Sequence, residues 1–381
     1  MSSTEPPPPL RTCVLGLGLA GRFFHVPHLA ALPALFDITV VSQRGPCEPA
    51  LLADLAVLAP RARLERDALA ALASPDVDLV VVATPDATHL ALALAALRAG
   101  KHVLIDKPLV QSLAQARELF AAARGEAGGR LLCMPYQNRR HCGDFMAVER
   151  VLAGGGLGEL VEYEAHYSRF RPAVRQLWKE LDRGALDNLG PHVVDQALRL
   201  FGEPARVWAD VRALRDGAVT DDAFELHLFY DGAPGAPGRI AGLFPPPRWR
   251  AVLRSTMLAA ANERKFVLHG TRGSFEKAGL DGQEATLCAG GPVLPTAAGY
   301  GVEPAGLAGT LTLGATGETS AVPTPRGTYA TLYESLARAA AAERPLDAQE
   351  VSPDVATLLL RVLETARASA ASGRVEALVA A

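Results

Sequence analysis

The amino-acid sequence predicts an α/β protein with a doubly wound parallel sheet in its N-terminal part and a second α+β domain built on a mostly antiparallel open sheet. From residue 11 to about residue 138, β-rich runs alternate with Ala- and Leu-rich helical stretches, and the runs are apolar on both faces. This is typical of a parallel sheet covered by helices. After residue 140, segments with period-two alternation are separated by turns rich in Gly, Pro and Asp, which is typical of antiparallel strands.

The length of 381 residues favours two domains, because single domains usually contain roughly 100–200 residues. We expect a Pro-rich tail over residues 1–10, a first domain over 11–138 and a second domain over 139–381. The helix expected at 353–372 is assigned to the second domain, where it packs either on that domain or back on the first. The elements of the first domain follow in order. Strands are expected at 12–18, 37–43, 78–85, 102–108 and 130–138, and helices at 21–34, 51–59, 90–100 and 113–125.

The second domain is expected to begin with one helix and to continue as a sheet. Its helices are predicted at 145–152, 329–342 and 353–372, and its strands at 160–171, 206–214, 223–230, 239–244 and 265–270. The stretch from 279 to 325 is rich in Gly, Thr and Pro, and it is predicted to form long loops.

Composition excludes several classes of function. The 38 basic and 41 acidic residues leave a net charge of −3, so no strong positive field attracts nucleic acid or an anionic membrane. The apolar run Leu90–Leu97 is far shorter than the ~20 residues of a membrane span, and the N-terminus does not resemble a signal peptide. Five cysteines without a C-x-x-C pair argue against disulfides and a zinc site. We therefore expect a cytoplasmic protein without a metal.

The first predicted strand runs directly into the pattern G-x-G-x-x-G, formed by Gly16, Gly18 and Gly21. In such a turn the glycines permit a tight bend, a close approach of backbone to pyrophosphate and close packing of helix on strand. Because the pattern lies in a complete βαβ context, it predicts a Rossmann domain that binds a dinucleotide.

The end of the second strand points to the choice of dinucleotide. An NAD-specific site usually places an acid there for the ribose 2′-hydroxyl, whereas this chain has Ser42 and Arg44. A serine and an arginine suit a 2′-phosphate, so NADP is favoured and NAD is the alternative.

Four segments resemble the glucose-fructose oxidoreductase/inositol dehydrogenase (Gfo/Idh/MocA) family. They are the glycine turn Gly16–Gly21, the A-T-P-x-x-x-H element Ala83–His89, the AGKHVLIDKP block Ala99–Pro108, and G-x-H-x-x-D at Gly190–Asp195. The resemblance implies an NAD(P)-dependent oxidoreductase that acts on CH–OH groups of sugars or cyclitols.

Three further segments resemble the branch that contains NADP-dependent scyllo-inositol dehydrogenases. They are YQNRR at Tyr136–Arg140, YEAHYSRFRP at Tyr163–Pro172 and FVLHGTRGSF at Phe266–Phe275. The resemblance implies a polyol or sugar substrate, and a homodimer or homotetramer formed through the sheet of the second domain.

Lys107 is the expected catalytic base. A hydroxyl that loses hydride must also lose its proton, and Lys107 follows a strand at the edge where open α/β sheets bind ligands. His192 is the second proton-handling candidate, placed on the first turn of a helix because Pro191 suits that position. Asp195 is expected one turn later on the same face.

Position 188 departs from the family pattern D-x-G-x-H-x-x-D, because Asn188 stands where the acid is expected. An amide can bind a substrate hydroxyl, but it carries no charge. Asp187 lies one place too early to replace the acid.

The resemblance also implies contacts for other residues. For the cofactor these are Thr84, Pro85, His89, Asp106, Lys107, Tyr136 and Asn138; for the substrate they are Lys107, Arg139, Arg169, Trp178, Asn188, His192 and Asp195, with Tyr163, His166 and Arg171 as further candidates. Two other functions stay open at this point: an NAD-retaining glycosidase of the same family, and a catalytically silent dinucleotide-binding sensor or partner subunit.

Overall fold

The computed structural model describes residues 7–174, 183–230, 249–261, 264–289 and 294–378. For these residues the chain forms two compact units. The first comprises Met1–Asn138, Gly282–Tyr300 and Thr328–Ala356, and the second comprises Arg139–Asp281, Gly301–Gly327 and Thr357–Ala381. The division after Asn138 coincides with the boundary expected from sequence. Two later segments belong to the first unit, although we expected them in the second domain.

The described part of the first unit contains a parallel sheet of six strands. They are β1 (Leu10–Leu15), β2 (Phe36–Ser42), β3 (Arg63–Glu65), β4 (Leu79–Val82), β5 (His102–Ile105) and β6 (Cys133–Pro135). Their spatial order is β3-β2-β1-β4-β5-β6, the doubly wound order with a topological switch point between β1 and β4. All four residues of β4 are fully buried, as a central strand covered on both faces requires.

The described part of the second unit contains a nine-stranded, mostly antiparallel sheet. Its strands are β7 (Leu160–His166), β8 (Arg206–Arg212), β9 (Ala223–Tyr230), β10 (Trp249–Thr256), β11 (Arg264–Gly270), β12 (Gly273–Ala278), β13 (Gly309–Leu313), β14 (Thr319–Val322) and β15 (Glu376–Ala377). Their order is β14-β13-β12-β11-β7-β10-β9-β8-β15, and only the pair β7–β10 is parallel in these residues. The predicted fold class is confirmed.

Helices cover both sheets. The α-helices are α1 (Val26–Ala30), α2 (Pro49–Leu58), α3 (Ala68–Leu72), α4 (His89–Arg98), α5 (Leu113–Gly125), α6 (Gly143–Ala153), α7 (Ala185–Phe201), α8 (Gln283–Cys288), α9 (Ala330–Ala340), α10 (Pro345–Ala348) and α11 (Pro353–Ser372). A π-helical turn, Ala20–His25, precedes α1, and short 3₁₀ turns lie at Asp86–Thr88, Glu126–Gly129, Asn138–His141 and Ala305–Leu307.

The prediction of long loops over 279–325 was wrong in part, because α8, β13 and β14 lie there. Strand β13 pairs with β12, so a distant partner supplies the hydrogen bonds that stabilise a sequence of weak local preference. Strands β3, β10 and β12 were also not predicted, and the strand expected at 239–244 lies outside the described residues.

The outward face of the second sheet carries a ladder of opposite charges. Arg250 on β10 donates to Glu162 on β7 at 2.7 Å, and Arg254 on β10 bridges Glu164 on β7 and Glu225 on β9. Such cross-strand pairs stabilise the register modestly. The homo-oligomer expected through this sheet stays a prediction.

No described helix is long and apolar enough to cross a membrane. None of the five cysteines, all of which lie in the described part of the chain, forms a disulfide.

The turn after β1 depends on the lack of a side chain at Gly21. A Cβ built there would lie 1.9 Å from the carbonyl oxygen of Gly16, which itself has a φ of +89°. A Cβ on Gly18, by contrast, would meet no atom within 4 Å. The helical segment therefore packs against the strand end through bare backbone.

We predict that Gly21→Ala lowers the stability of the first unit by about 2 kcal/mol, because the added methyl group overlaps the Gly16 carbonyl and pushes the helical segment away from the strand end. Thermal unfolding followed by circular dichroism measures the change. Gly18→Ala is the matched control, expected to alter stability by no more than about 0.5 kcal/mol. Equal unfolding midpoints for the two variants would contradict the steric argument.

Candidate functional site

The carboxyl edge of the first sheet collects the cofactor residues expected from sequence. Gly16 follows β1, Ser42 ends β2 and Thr84 comes shortly after β4. Lys107 follows β5 by two residues, and Tyr136 comes directly after β6. Because parallel strands present their carboxyl ends on one side, all of these residues lie at the same edge, next to the switch point.

The glycine turn is held by its neighbours and leaves room for a ligand. The N–H of Gly16 donates to the carbonyl of Ser42 at 2.8 Å, and the N–H of Leu17 donates to Oε1 of Gln43 at 2.9 Å. Since a Cβ at Gly18 would meet no protein atom, protein packing alone does not demand a glycine there. The open space above Gly18 fits the backbone-to-pyrophosphate approach of a dinucleotide site.

The end of β2 carries both of the residues that favour NADP. Ser42 is buried and Arg44 is exposed. Sequence reasoning missed Arg66, which donates to the carbonyls of Gln43 and Gly45 and braces this loop.

A carboxylate also lies near this end of the sheet, because Glu65 is the register partner of Ser42 in the parallel pair β2–β3. Its Oε1 accepts the N–H of Arg66 at 2.8 Å. A nearby carboxylate opposes a 2′-phosphate, whereas the arginines favour one. Glu65 and Arg66 lie far from the end of β2 along the chain, so only the pairing of β3 with β2 shows that they are near it in space.

His89 is buried and contacts two loops of the first unit. Its Nδ1 lies 2.9 Å from the carbonyl oxygen of Pro108, and its Nε2 lies 2.8 Å from that of Thr84. The buried ring therefore joins the loop after β4 to the loop after β5, which holds Lys107. Oγ1 of Thr84 lies 2.7 Å from Oγ1 of Thr88, within the turn that follows β4, and Pro85 is exposed.

Tyr136 belongs to a buried aromatic cluster. Its ring lies 4.5 Å from that of His25 and 5.8 Å from that of Tyr333, measured between centroids. The hydroxyl of Tyr333 lies 2.9 Å from Nδ1 of His25. Nε2 of His25 is 3.9 Å from the Asp106 carboxylate, so the cluster reaches the residue that precedes Lys107. Asn138, two residues after Tyr136, is also buried.

His28 extends this cluster away from the sheet edge. Its Nδ1 lies 2.6 Å from the carbonyl oxygen of Phe24, which can only accept, so Nδ1 carries the hydrogen. Nε2 then accepts from the Tyr300 hydroxyl at 3.2 Å. These contacts explain why residues 282–300 and 328–356 belong to the first unit: their tyrosines pack on histidines far earlier in the chain.

Lys107 is half-buried and is joined to Pro108 by a cis peptide bond. Asp106 precedes it, and the Asp106 N–H donates to the carbonyl of Val82 at 2.9 Å, which keeps the strand end in register with β4. The lysine therefore extends from a fixed point at the ligand edge.

In the second unit, His192 is buried in the interior of α7, so its placement on the first turn was wrong. The helix begins at Ala185, because the N–H of Leu186 donates to the Asp221 carboxylate at 2.7 Å and caps the helix there. Pro191 lies inside the helix, where it removes one backbone hydrogen bond.

Asn188, His192 and Asp195 lie on one face of α7, at spacings of four and three residues. Both oxygens of the buried Asp195 accept from Arg140, at 2.8 and 2.7 Å. This bidentate pair fastens the helix to the start of the second unit. The carboxylate of Asp187 pairs with Arg367 at 2.7 Å, so it does not take over the role of the missing family acid.

Tyr167 lies beside His192, with ring centroids 5.8 Å apart. The cationic groups of Arg139, Arg169 and Lys265 lie 5.3, 5.2 and 4.4 Å from the centre of the Tyr167 ring. Arg139 and Arg169 were expected from sequence, whereas Lys265 was missed because it sits in a β-strand that reads as ordinary core.

The remaining expected substrate residues differ in their environment. Tyr163 is fully buried against Phe201, 5.1 Å between centroids, so its place in a sugar pocket was wrong. Nε2 of His166 lies 3.0 Å from Glu164, and the Arg171 N–H donates to the Met257 carbonyl at 2.7 Å. Trp178 lies outside the described residues.

Among the described residues, no group of three or more His, Cys, Asp or Glu side chains is placed to hold a metal ion.

The buried histidines should make stability depend on pH. Burial lowers the pKa of His25 to about 4 and that of His28 to about 3, from about 6.5 in the unfolded chain. The unfolded chain therefore binds protons first as the pH falls, so stability is full above about pH 6.5 and is lost toward pH 4.

We predict that the free energy of unfolding falls between pH 7 and pH 5 by about 2 kcal/mol for each of the two histidines. Urea titrations at several pH values measure it. His28→Phe should reduce the pH slope by about half, whatever its stability at pH 7. An identical slope in the variant would show that His28 titrates normally.

Two family descriptions match the chain. Residues 10–131 match the description "Oxidoreductase family, NAD-binding Rossmann fold", and residues 145–276 match "GFO/IDH/MocA C-terminal domain". The first match contains strands β1 to β5 of the parallel sheet, and the second contains β7 to β11 and most of β12 of the antiparallel sheet.

Individual relatives extend over more of the chain. The uncharacterized oxidoreductase YdgJ of Escherichia coli K12 is 39% identical over 284 residues, 73% of this chain and 74% of that protein. The scyllo-inositol 2-dehydrogenase (NADP(+)) IolW of Bacillus subtilis 168 is 31% identical and covers 96% of this chain and 95% of its own. The crystal structure of an oxidoreductase from Bacillus cereus superposes with a TM-score of 0.81 at 28% identity, over 98% of this chain and 99% of the other. The chain therefore belongs to the Gfo/Idh/MocA family of oxidoreductases, and it is a dehydrogenase with an NAD-binding Rossmann domain.

Proposed function

We propose that the protein transfers a hydride between NADP and a CH–OH group of a polyhydroxy substrate such as a cyclitol or sugar. The observation that carries this proposal is the position of Lys107 at the same sheet edge as the glycine turn. The similarity to the NADP-dependent scyllo-inositol 2-dehydrogenase supports both the cofactor and the substrate class.

The proposed cofactor residues are the backbone of the glycine turn for the pyrophosphate, and Ser42 and Arg44 for the 2′-phosphate. The bound nicotinamide supplies a hydride acceptor or donor. His89 and the loop that Arg66 braces fix the strand ends around this site.

Lys107 takes the proton of the substrate hydroxyl during oxidation and returns it during reduction. His192 is the second proton-handling candidate, and Asn188, one helical turn away on the same face of α7, binds a substrate hydroxyl. The bidentate pair with Arg140 occupies both oxygens of Asp195, so Asp195 positions α7.

The amide at position 188 keeps a catalytically silent dinucleotide-binding protein as the second candidate, because the family acid is missing there. Reduction of NADP at 340 nm, measured against a panel of cyclitols and sugars, separates the two. Cofactor binding without reduction by any of these substrates would favour the silent protein.

We predict that Arg44→Ala reduces the preference for NADP over NAD by about 1–3 kcal/mol, or roughly 5- to 150-fold in the ratio of dissociation constants. Titration of the purified protein with each cofactor measures it. The matched control is Arg98→Ala, which removes an exposed arginine at the end of α4. An unchanged ratio in Arg44→Ala, or equal wild-type affinities, would remove the assignment.

We predict that Lys107→Met lowers kcat by roughly 10²- to 10⁴-fold, the usual contribution of a positioned acid or base, and leaves cofactor binding largely intact. Lys101→Met is the matched control, because Lys101 precedes the opposite end of β5 and donates to the carbonyls of Ser74 and Val77. That control should lose stability and keep its turnover per folded molecule. Full turnover in Lys107→Met would assign the lysine a structural role.

A further inference from the structure

Lys265 is a buried cation whose contacts among the described residues are aromatic rings rather than a carboxylate. The side chain is only 6% exposed, and its described contacts are the faces of the Tyr167 and Phe266 rings, at 4.4 and 5.2 Å from Nζ. A cation–π contact offsets only part of the cost of removing an ammonium group from water. The site therefore holds a charge whose hydrogen-bonding capacity is incompletely used.

Lys277 on the neighbouring strand shows how the same sheet satisfies a buried lysine. Its Nζ donates to Glu303 and to the carbonyls of Ala278 and Leu307, each at 2.7 Å. Among the described residues, Lys265 makes no comparable hydrogen bond or ion pair. The contrast indicates that Lys265 is not a structural ion pair like Lys277.

A cavity of about 250 Å³ adjoins Lys265. Its described lining includes three basic side chains, Lys265, Arg169 and Arg264, together with His166 and the small residues Ala259–Ala261, and it includes no carboxylate. This volume is below the usual 300–1,000 Å³ of a complete ligand pocket, and it suits one substituent or a small molecule.

The nearby acids balance only part of this charge. Glu276 pairs with Arg264 at 3.4 Å, and Glu164 pairs with His166 at 3.0 Å. Asp144 lines the small space beside Lys265 and favours its charged form, but no carboxylate among the described residues forms an ion pair with Nζ within 4.0 Å. The charge of Lys265 is thus not neutralised by an ion pair within the described residues.

The same lysine connects this cavity to His192. A smaller space of about 10 Å³, large enough for about one water, is lined by Lys265, Asp144, Tyr167, Arg139 and His192 among others. Lys265 thus lines both the larger cavity and the space beside the proton-handling histidine.

We propose that the cavity beside Lys265 binds an anionic substituent of the substrate, a carboxylate or a phosphate, so that the substrate is an acidic rather than a neutral polyhydroxy compound. This inference rests on the proposed dehydrogenase function for the reacting end of the substrate. Lys265 and Arg169, which both line the cavity, donate charge-assisted hydrogen bonds to the anion.

Titration of Lys265 supports this role. The pKa of Lys265 is lowered to about 8, chiefly by burial; Asp144 and Cys142 oppose this shift, whereas the cations Arg139 and Arg169 contribute to it. The lysine is charged at pH 7 and loses its proton above about pH 8, so anion binding should weaken as the pH rises through that value. Because the folded state holds the proton less tightly than the unfolded chain does, the charge reduces stability below pH 8. Lys265→Met should therefore fold well at pH 7.

The test is isothermal titration of the full-length protein with glucose, glucuronate and glucose 6-phosphate at pH 7, with and without NADP. We expect one anionic sugar to bind at least tenfold more tightly than glucose, and the comparison of glucuronate with glucose 6-phosphate identifies the carboxylate or the phosphate. Lys265→Met should lose about 10- to 100-fold of that affinity, the range for hydrogen bonds to a charged group. Its affinity for glucose should be unchanged.

Arg250→Gln is the matched control, since it removes one positive charge from the outward face of the same sheet and should leave anion affinity unchanged. Wild-type affinity for the anion should fall between pH 7 and pH 9, and that fall should be absent in Lys265→Met. If neither anion binds more tightly than glucose, or if Lys265→Met binds the anion as the wild type does, the subsite proposal is overturned.

The readout separates the two proposals. Anion binding that depends on Lys265, without NADP reduction by any sugar or cyclitol, would support the subsite and contradict the dehydrogenase assignment. NADP reduction by neutral polyols with the same selectivity in wild type and Lys265→Met would support the dehydrogenase and overturn the subsite.

Discussion

The contact between the Gly21 backbone and the Gly16 carbonyl is the constraint on which the dinucleotide half of the molecule depends. A side chain at position 21 would lie 1.9 Å from that oxygen, so the helical segment after β1 can approach the strand only as bare backbone. This approach places the start of the helical segment at the switch point between β1 and β4. The ends of β2, β4, β5 and β6 then gather their polar residues around the same opening.

Buried charge organises the second unit in two different ways. Arg140 and Asp195 form a bidentate pair that compensates most of the desolvation cost and holds α7 in place. Lys265 is buried just as deeply, yet its described contacts are aromatic faces. An ion pair whose two groups hydrogen-bond to each other stabilises the fold, whereas a buried cation with unused hydrogen-bond donors is suited to bind a ligand.

Several residues expected to touch ligands also make contacts that position other residues. His89 bridges the two loops that carry Thr84 and Pro108, and the Tyr136 ring packs on His25. Motifs in sequence mark such residues as strongly as they mark ligand contacts, because a site needs both to keep its geometry. Arg66 and Lys265 show the converse: each reaches its place through strand pairing or burial, and no local pattern distinguishes it from an ordinary surface or core residue.

The sequence by itself determined the parallel sheet, the glycine turn, the change to an antiparallel domain and the lysine at the ligand edge. These features follow from local periodicity and from short motifs whose members are close along the chain. Tertiary structure decided what depends on distant partners. Asp221 caps α7 and so moves Pro191 and His192 into the helix interior, and β12 stabilises β13 within a stretch that reads as loop. Tyr300 and Tyr333 join the first unit because they hydrogen-bond to histidines about 300 residues earlier, a contact that only folding brings about.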